Sequence, residues 1–269
     1  MKPLIPAAAA TLGTWAVIEN TALLRTVRYD VTLPGLPRLL QISDLHKRHF
    51  GAHQRILLRR CAECRPALIA ITGDLVSRTV TDLTETEALL RRLRALAPVI
   101  AVLGNHELDL PPALEAEFRE LLAACDVRLL DNEIIRIGGI PFAGLTLSCA
   151  HYRGGGLLGM HGIRGCTAAD IEAVLGRAPE NTVLLAHNPL FFPAYAKWGA
   201  RLTLSGHIHG GIVRLPVIGG VLSPERRFFP RYDKGRVRAD ASEMIVSGGL
   251  GKLRLFNPPE LCLITEGTA

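Results

Sequence analysis

Residues 38–46 read Arg-Leu-Leu-Gln-Ile-Ser-Asp-Leu-His, a short apolar run that breaks at once into a carboxylate and an imidazole. The form recurs along the chain. Ala-Leu-Ile-Ala-Ile-Thr (67–72) is followed by Gly-Asp-Leu (73–75), and Val-Ile-Ala-Val-Leu (99–103) by Gly-Asn-His-Glu (104–107). Thr-Val-Leu-Leu-Ala (182–186) leads into His-Asn-Pro (187–189), and Arg-Leu-Thr-Leu-Ser (201–205) into Gly-His-Ile-His (206–209). Runs this short, rich in branched residues, are buried strands. Helical patterns fill 52–65 and 84–96 between the first three, the second opening Thr-Asp-Leu-Thr-Glu-Thr-Glu in the manner of a capped N-terminus. Positions 44, 74 and 105 thus recur at about one strand–helix–strand unit of roughly 30 residues. Asp44, Asp74 and Asn105 come from successive strands and meet on the rim where open α/β sheets bind ligands. A second set of runs at 134–137, 140–145, 244–247 and 261–265 lacks helical crossovers and predicts a more antiparallel sheet. Two packed sheets with helices outside bury all of them.

The 269-residue chain is 48% apolar and 5% aromatic, which excludes disorder, collagen and coiled coil and suffices for one large α/β domain. No repeat, low-complexity tract or long linker divides residues 25–269. A net charge of +6 favours anionic partners: phosphorylated substrates, anionic lipid surfaces or nucleic acid. Cys61, Cys64, Cys125, Cys149, Cys166 and Cys262 are scattered through a chain too long to need staples, so they read as reduced thiols of a cytosol-facing domain. Cys61 and Cys64 lie in a helical pattern ending before Pro66; a zinc or redox site needs a second pair or a strand–turn context that the sequence lacks.

Residues 4–18 carry no charge and are rich in alanine, closed by Glu19 and Asn20. A membrane-spanning helix needs about 20 apolar residues, so this run is short, and Pro3 and Pro6 fit only its first turn. Ala7 to Ala10 comes too early for a cleavage site. Segment 1–24 therefore reads as a short membrane anchor or interfacial helix, or else as a helix packed on the domain. Inserted, it would keep the remainder on the cytoplasmic face of the membrane, because Arg25 and Arg28 outweigh Lys2.

The rim gathers Asp44, His46, Asp74, Asn105, His106, His187, His207 and His209. Carboxylates, an amide carbonyl and imidazoles suit a borderline divalent transition metal better than Mg or Ca. These plausible ligands are too many for one ion; with a bridging carboxylate, two ions about 3.5–4 Å apart can each be served.

Asp44-x-His46, Gly73-Asp74, Gly104-Asn105-His106-Glu107, His187 and Gly206-His207-x-His209 resemble, in order and spacing, the calcineurin-like metallophosphoesterase superfamily. Gln-Ile-Ser-Asp-Leu-His, the Gly-Gly after the last motif, Val-Arg-Leu-Pro-Val-Ile-Gly (213–219) and Gly-Leu-Gly-Lys-Leu-Arg-Leu-Phe-Asn-Pro-Pro-Glu (249–260) are similar to its membrane-associated branch, which includes UDP-2,3-diacylglucosamine pyrophosphatases. The resemblance implies an α/β four-layer α/β-β/α sandwich of two mixed sheets flanked by helices over residues 25–269. It also implies two divalent ions such as Mn, Fe or Zn, one held by Asp44, His46 and His209, the other by Asn105, His187 and His207, with Asp74 bridging. His106 would be catalytic, contacting a phosphoryl oxygen or protonating the leaving group. Metal-activated water would hydrolyse a phosphodiester or diphosphate bond of a phosphorylated small molecule or lipid-linked substrate, UDP-2,3-diacylglucosamine among them, with peripheral membrane contact. A soluble phosphodiesterase or nuclease uses the same site, but the chain has no aromatic-studded basic groove for nucleic acid. A non-catalytic scaffold loses ligands, and here none is missing.

The branch often has Gln after the final Gly-Gly, where this chain has Ile212. Lys47 and Arg48, beside His49, read as substrate-binding residues or as solvated surface charges. Arg226, Arg227, Arg231, Lys234, Arg236 and Arg238 beside Phe228, Phe229 and Tyr232 read as a lipid-headgroup surface or a charged loop with packed aromatics. The glycine-rich stretch 151–164 reads as a mobile loop, either a lid or a plain surface loop, with His151 and His161 as bystanders.

Overall fold

Alternation along the strands sends neighbouring side chains into different cores. A computed structural model of the chain describes residues 14–15, 19, 23–152, 162–211, 213–215, 217–222, 228–252 and 254–267. Its first sheet contains β1 (Arg25–Val31), β2 (Leu39–Ile42), β3 (Leu68–Thr72), β4 (Val99–Val102) and β5 (Val127–Leu129). Its second contains β6 (Glu133–Ile137), β7 (Ile140–Leu145), β8 (Val183–Ala186) and β9 (Leu202–Ser205). A separate hairpin pairs β10 (Val213–Leu215) with β11 (Gly219–Leu222). The chain then adds β12 (Gly235–Ala239) and β13 (Ser242–Val246) to the second sheet and β14 (Glu260–Glu266) to the first. The strand orders are β1-β14-β2-β3-β4-β5 and β12-β13-β9-β8-β7-β6.

Helices α1 (Arg55–Glu63) and α2 (Thr84–Arg94) connect the parallel strands β2, β3 and β4; the one-turn α3 (Asn105–Leu108) follows β4, and α4 (Pro112–Ala124) leads to β5. In the other half α5 (Ala168–Leu175) and α6 (Phe192–Trp198) connect β7, β8 and β9, again parallel. Leu40, Ile42, Ile69, Ile71, Val99 and Ala101 pack against the helices of the first half through Leu57, Leu90, Leu93 and Phe118. Their neighbours Leu39, Leu68, Ala70, Ile100 and Val102 face the second sheet, meeting Phe142, Val183, Leu185, Leu204 and Ile245. On the far side Leu184, Ala186, Met244 and Val246 close over Ile171, Phe192, Tyr195 and Trp198. Three cores between four layers are the sandwich that the sequence predicts.

Each expected strand forms, but their grouping differs from the expectation. The four later runs do not make one sheet: 134–137, 140–145 and 244–247 join 182–186 and 201–205, whereas 261–265 enters the first sheet between β1 and β2. Antiparallel pairing is confined to β6–β7, β12–β13 and β14–β2 within the two large sheets. The β6–β7 hairpin closes on Gly138 and Gly139 at φ 58° and 85°, the left-handed pair that a two-residue turn between twisted strands requires. The helix expected from 52 starts at Arg55, because His53 and Gln54 are left-handed. Gln54 is held there by its side chain, which accepts from Phe50 N–H at 2.9 Å and donates to the Arg48 carbonyl at 2.7 Å. At the start of α2 the capping carboxylate is Asp82, whose Oδ1 accepts from the Thr84 N–H and hydroxyl.

Cys61 and Cys64 are buried free thiols, and burial pushes the Cys61 thiol far above its ordinary value. Most of segment 4–18 lies outside the described residues. Glu19, fully buried, is packed on the domain: its carboxylate accepts from Phe256 N–H at 2.6 Å and its carbonyl from Arg48 Nη2 at 3.2 Å. Among the described residues no helix is long and apolar enough to cross a membrane.

Phe142 is fully buried between the two sheets. Phe142→Ala lowers the unfolding free energy by about 3–5 kcal/mol in a urea titration, while activity per folded molecule is retained. A change below about 1 kcal/mol would mean that the inter-sheet core carries little of the stability.

Candidate metal centre

Strands from both sheets end at one place, and the loop after each delivers a polar side chain. β2 supplies Asp44 and His46, β3 supplies Asp74, β4 supplies Asn105 and His106, β8 supplies His187, and β9 supplies His207 and His209. Ligand atoms of Asp44, His46, Asp74 and His209 lie within 4.8 Å of one another, as do those of Asp74, His187 and His207. Asp74 belongs to both groups. Its Oδ2 is 3.4 Å from His187 Nε2, 3.8 Å from His46 Nε2 and 3.9 Å from His106 Nε2. His209 Nε2 lies 3.4 Å from Asp44 Oδ1 and 3.2 Å from His46 Nε2.

The loops reach this convergence by leaving ordinary backbone space. Asp44, His46, Asp74, His207 and His209 have φ between 53° and 72°, the left-handed region. A left-handed non-glycine residue costs on the order of 1–2 kcal/mol, and the loops are pinned by hydrogen bonds that hold it. Asp44 N donates to Gly73 O and His46 N to Asp74 O, each at 3.1 Å. His207 N donates to the Asp44 carboxylate at 3.0 Å, and His106 N to Asp74 Oδ1 at 2.8 Å. Gly73, at φ 90°, admits the close approach of the Gly104 loop: a Cβ there would lie 2.7 Å from both Gly104 N and His187 Nδ1.

Burial disfavours charge on His187, yet the Asp74 carboxylate, with Asp44 behind it, outweighs burial and raises the imidazole to about 10. Burial also opposes ionisation of Asp74, and His187, His46 and His106 overcome it, holding the carboxyl well below the usual carboxylate range. The cluster is therefore a negative centre that calls for positive charge. His187 Nδ1 faces the Thr72 carbonyl at 2.7 Å, so that proton stays there, and a cation at Nε2 would take the place of the proton that Asp74 otherwise favours. That Nε2 and Asn105 Oδ1 are both buried without a hydrogen-bond partner, which interiors rarely tolerate. Carboxylates, imidazoles and an orphaned amide carbonyl fit a divalent transition metal ion.

His106 is arranged differently. Its Nδ1 accepts from Arg78 N–H at 3.2 Å, which places the proton of the neutral ring on Nε2, the atom facing Asp74. Burial drives the pKa of this imidazole down to about 3, against the pull of Asp74. It is a neutral hydrogen-bond donor at the mouth of the site.

The two basic residues read as substrate contacts part company. Lys47 is exposed, donates to the Thr79 carbonyl at 2.7 Å, and lines a cavity of about 290 Å³ next to His46. Arg48 is 2% exposed: it donates to the carbonyls of Gly251 at 3.0 Å and Glu19 at 3.2 Å and stacks over Phe50. This corrects the expectation for Arg48, whose guanidinium is occupied by protein. His151 is buried, its ring against Ser148 and Phe191. Residues 153–161, which hold His161 and the glycines of the expected lid, and Ile212 lie outside the described residues.

Glu107 is the functional residue that the sequence reading passed over. Its buried carboxylate accepts from Asp74 N and Gly104 N at 2.8 Å and from Val76 N at 3.0 Å, tying the β3 and β4 loops together. Burial, reinforced by Asp74, raises its pKa to about 7. Its place three residues after Gly104 was the available signal. Arg254 and Asn257 support the His209 loop from behind, donating to the His209 carbonyl at 3.2 and 2.6 Å. Glu107→Gln presents an amide N–H₂ to backbone donors and leaves at least one unpaired at about 1–3 kcal/mol. Calorimetric titration with Mn(II) should show affinity about 10–100-fold weaker in a chain that still folds; unchanged affinity would show that Glu107 does not position the ligands.

The model of the calcineurin-like phosphoesterase family matches residues 37–211, which span the strands and loops just described. An uncharacterized metallophosphoesterase of Campylobacter jejuni is 27% identical over 87% of this chain, which spans 61% of that protein. One of Aquifex aeolicus is 27% identical over 96% of this chain and 97% of its own length. The UDP-2,3-diacylglucosamine pyrophosphatase LpxG of Chlamydia trachomatis is 24% identical over 97% of this chain and 94% of its own. With the family model covering well over half of its length and every ligand-bearing loop, this chain belongs to the calcineurin-like phosphoesterases.

Proposed function

We propose that the chain is a dinuclear metal-dependent phosphoesterase that hydrolyses the diphosphate bond of a lipid-linked substrate at the cytoplasmic face of the membrane. The observation that carries the reading is Asp74, one carboxylate common to two groups of ligand atoms. Asp44, His46 and His209 would hold one ion, and Asn105, His187 and His207 the other. Bound there, two divalent ions such as Mn supply Lewis acidity and lower the pKa of a coordinated water toward 7.

The chain's own residues do the remainder. Asp44 and Asp74 provide the negative charge that retains the ions, and the Thr72 carbonyl keeps the His187 Nε2 lone pair directed inward. His106 presents its Nε2 proton to a non-bridging or leaving phosphoryl oxygen, and Arg78 N–H fixes that tautomer. Lys47, exposed at the rim of the cavity beside His46, is placed for a second phosphoryl group. A diphosphate offers that second group; a simple monoester does not. On this reading no Ser, Cys or His is required as a covalent nucleophile, so hydrolysis should proceed in a single displacement.

A lipid-linked substrate is supported by the likeness to the chlamydial pyrophosphatase, by the apolar 4–18 run and by the net positive charge. Metal-stripped protein resupplied with Mn should cleave UDP-2,3-diacylglucosamine far faster than an aryl phosphodiester; comparable slow rates on both would remove the lipid substrate. His207→Ala abolishes turnover and lowers the bound-metal content. His106→Asn lowers kcat by about 10²–10⁴ with metal content unchanged. Turnover retained in His207→Ala would overturn the dinuclear reading.

A further inference from the structure

Beyond the metal centre, the described residues expose few large apolar side chains, and most of them gather at one place. Val217 and Ile218 cap the β10–β11 hairpin with relative exposures of 107% and 60%. Leu215 precedes them on β10, Phe228 is bridged to Leu222 on β11, and Phe229 N donates to Val221 O at 2.9 Å. Phe256 stands across a trough of about 530 Å³ lined by Arg214, Leu215, Val217 and Gly219. Val217, Phe229 and Phe256 are all left-handed, at φ 70°, 50° and 57°. For a β-branched valine this is a true outlier, retained at the point where it projects furthest into solvent.

Chemistry decides what this surface meets. A solvent-facing turn gains nothing from such residues, and a convex projecting tip suits insertion into a soft interface better than a flat protein contact. The sequence from Val213 to Arg238 carries seven Lys and Arg against two Asp and Glu, complementary to an anionic surface. Arg231 is exposed beside Phe229, its guanidinium over the Tyr232 ring. Glu19, which closes the apolar run in the sequence, is itself fixed at this face by accepting from Phe256 N–H.

We propose that the β10–β11 tip, with Phe228, Phe229 and Phe256, is a docking surface that inserts into the interface of an anionic lipid bilayer. The proposal deepens the lipid-substrate reading and rests on it for its purpose. The hairpin root is welded to the metal loop: Asn257 donates to the carbonyls of His209 and Gly211, and a Cβ on Gly211 would lie 2.8 Å from Gly220 Cα. Docking through the tip would hold the metal loop at a fixed height above the bilayer, where a diphosphate headgroup lies.

The test is flotation of the full chain with vesicles of phosphatidylethanolamine and phosphatidylglycerol, compared with phosphatidylcholine alone. The parent should float with the anionic vesicles. The pair Val217→Asp/Ile218→Asp, and separately Phe228→Ser/Phe229→Ser, should lower the bound-to-free ratio by about ten-fold or more. Their turnover of a soluble aryl phosphodiester with Mn should match the parent, since none of the four residues belongs to the metal centre. Asp74→Asn, inactive on any phosphoester, should still float, which separates failure of docking from failure of the catalytic reading. Variants that float as well as the parent would assign binding to the N-terminal run and overturn the proposal. A parent that does not float would overturn it too, and a dimer by light scattering, lost in the aspartate variants, would then identify a second copy as the occupant.

Discussion

The carboxylate of Asp74 is the group on which the rest of the structure depends. It is 1% exposed and ionised, and a charge so placed persists only if positive groups and hydrogen-bond donors surround it. Those groups come from both halves of the sandwich: His46 from the β2 loop, His106 and its N–H from the β4 loop, and His187 from β8 in the opposite sheet. The sheets must stack with their strand ends in register for this convergence. The inter-sheet core sets that register, and Gln41 reinforces it by donating to Thr72 Oγ1 at 3.0 Å and across to the Ser205 carbonyl at 2.9 Å.

The same requirement explains where backbone strain is concentrated. Strands end with carbonyls and N–H groups directed along the sheet, not toward a common point outside it. Turning Asp44, His46, Asp74, His207 and His209 inward takes a left-handed residue at each position, a conformation that favours glycine. Functional chemistry forbids glycine there, so the neighbours supply the small residues instead. Gly73, Gly104, Gly206 and Gly249 each leave room that a Cβ would close, beside Gly104 N, Asp74, Ser43 and Asp44 respectively. The glycines of the motifs are thus counterparts of the strain in the ligands.

This division sets what could be read in the sequence. The ligand-bearing loops were legible because each follows a fully buried, mostly apolar strand, and a strand buried on both faces announces itself without alternation. β1 was not legible: its seven residues are mostly exposed on the sheet edge, with three charges, so neither period nor hydrophobicity marks it. The assignment of 261–265 to the first sheet was equally hidden, since pairing with β1 and β2 depends on contacts some 230 residues apart in sequence rather than on local pattern. Arg48 shows the limit at a single side chain. A basic residue after a ligand motif reads as a substrate contact, and only the distant Gly251 and Glu19 carbonyls show that it is a brace.

That brace links features that composition presents as separate. Arg48 follows His46 by two residues and connects the N-terminal Glu19 with the Gly251 loop, which in turn contacts His209, since a Cβ on Gly251 would lie 3.2 Å from its ring. Arg254 in the same stretch donates to Gly251 O at 2.6 Å and to the His209 carbonyl. Two guanidiniums, both lowered to about 10 by burial and still charged near neutrality, thus lie behind a negatively charged metal cluster. Their cost of desolvation is offset by the Glu19, Gly251 and His209 carbonyls that accept from them. The C-terminal segment 249–260 is in this sense part of the candidate metal centre, and Glu19 meets the domain through the same arginine and through Phe256 N–H.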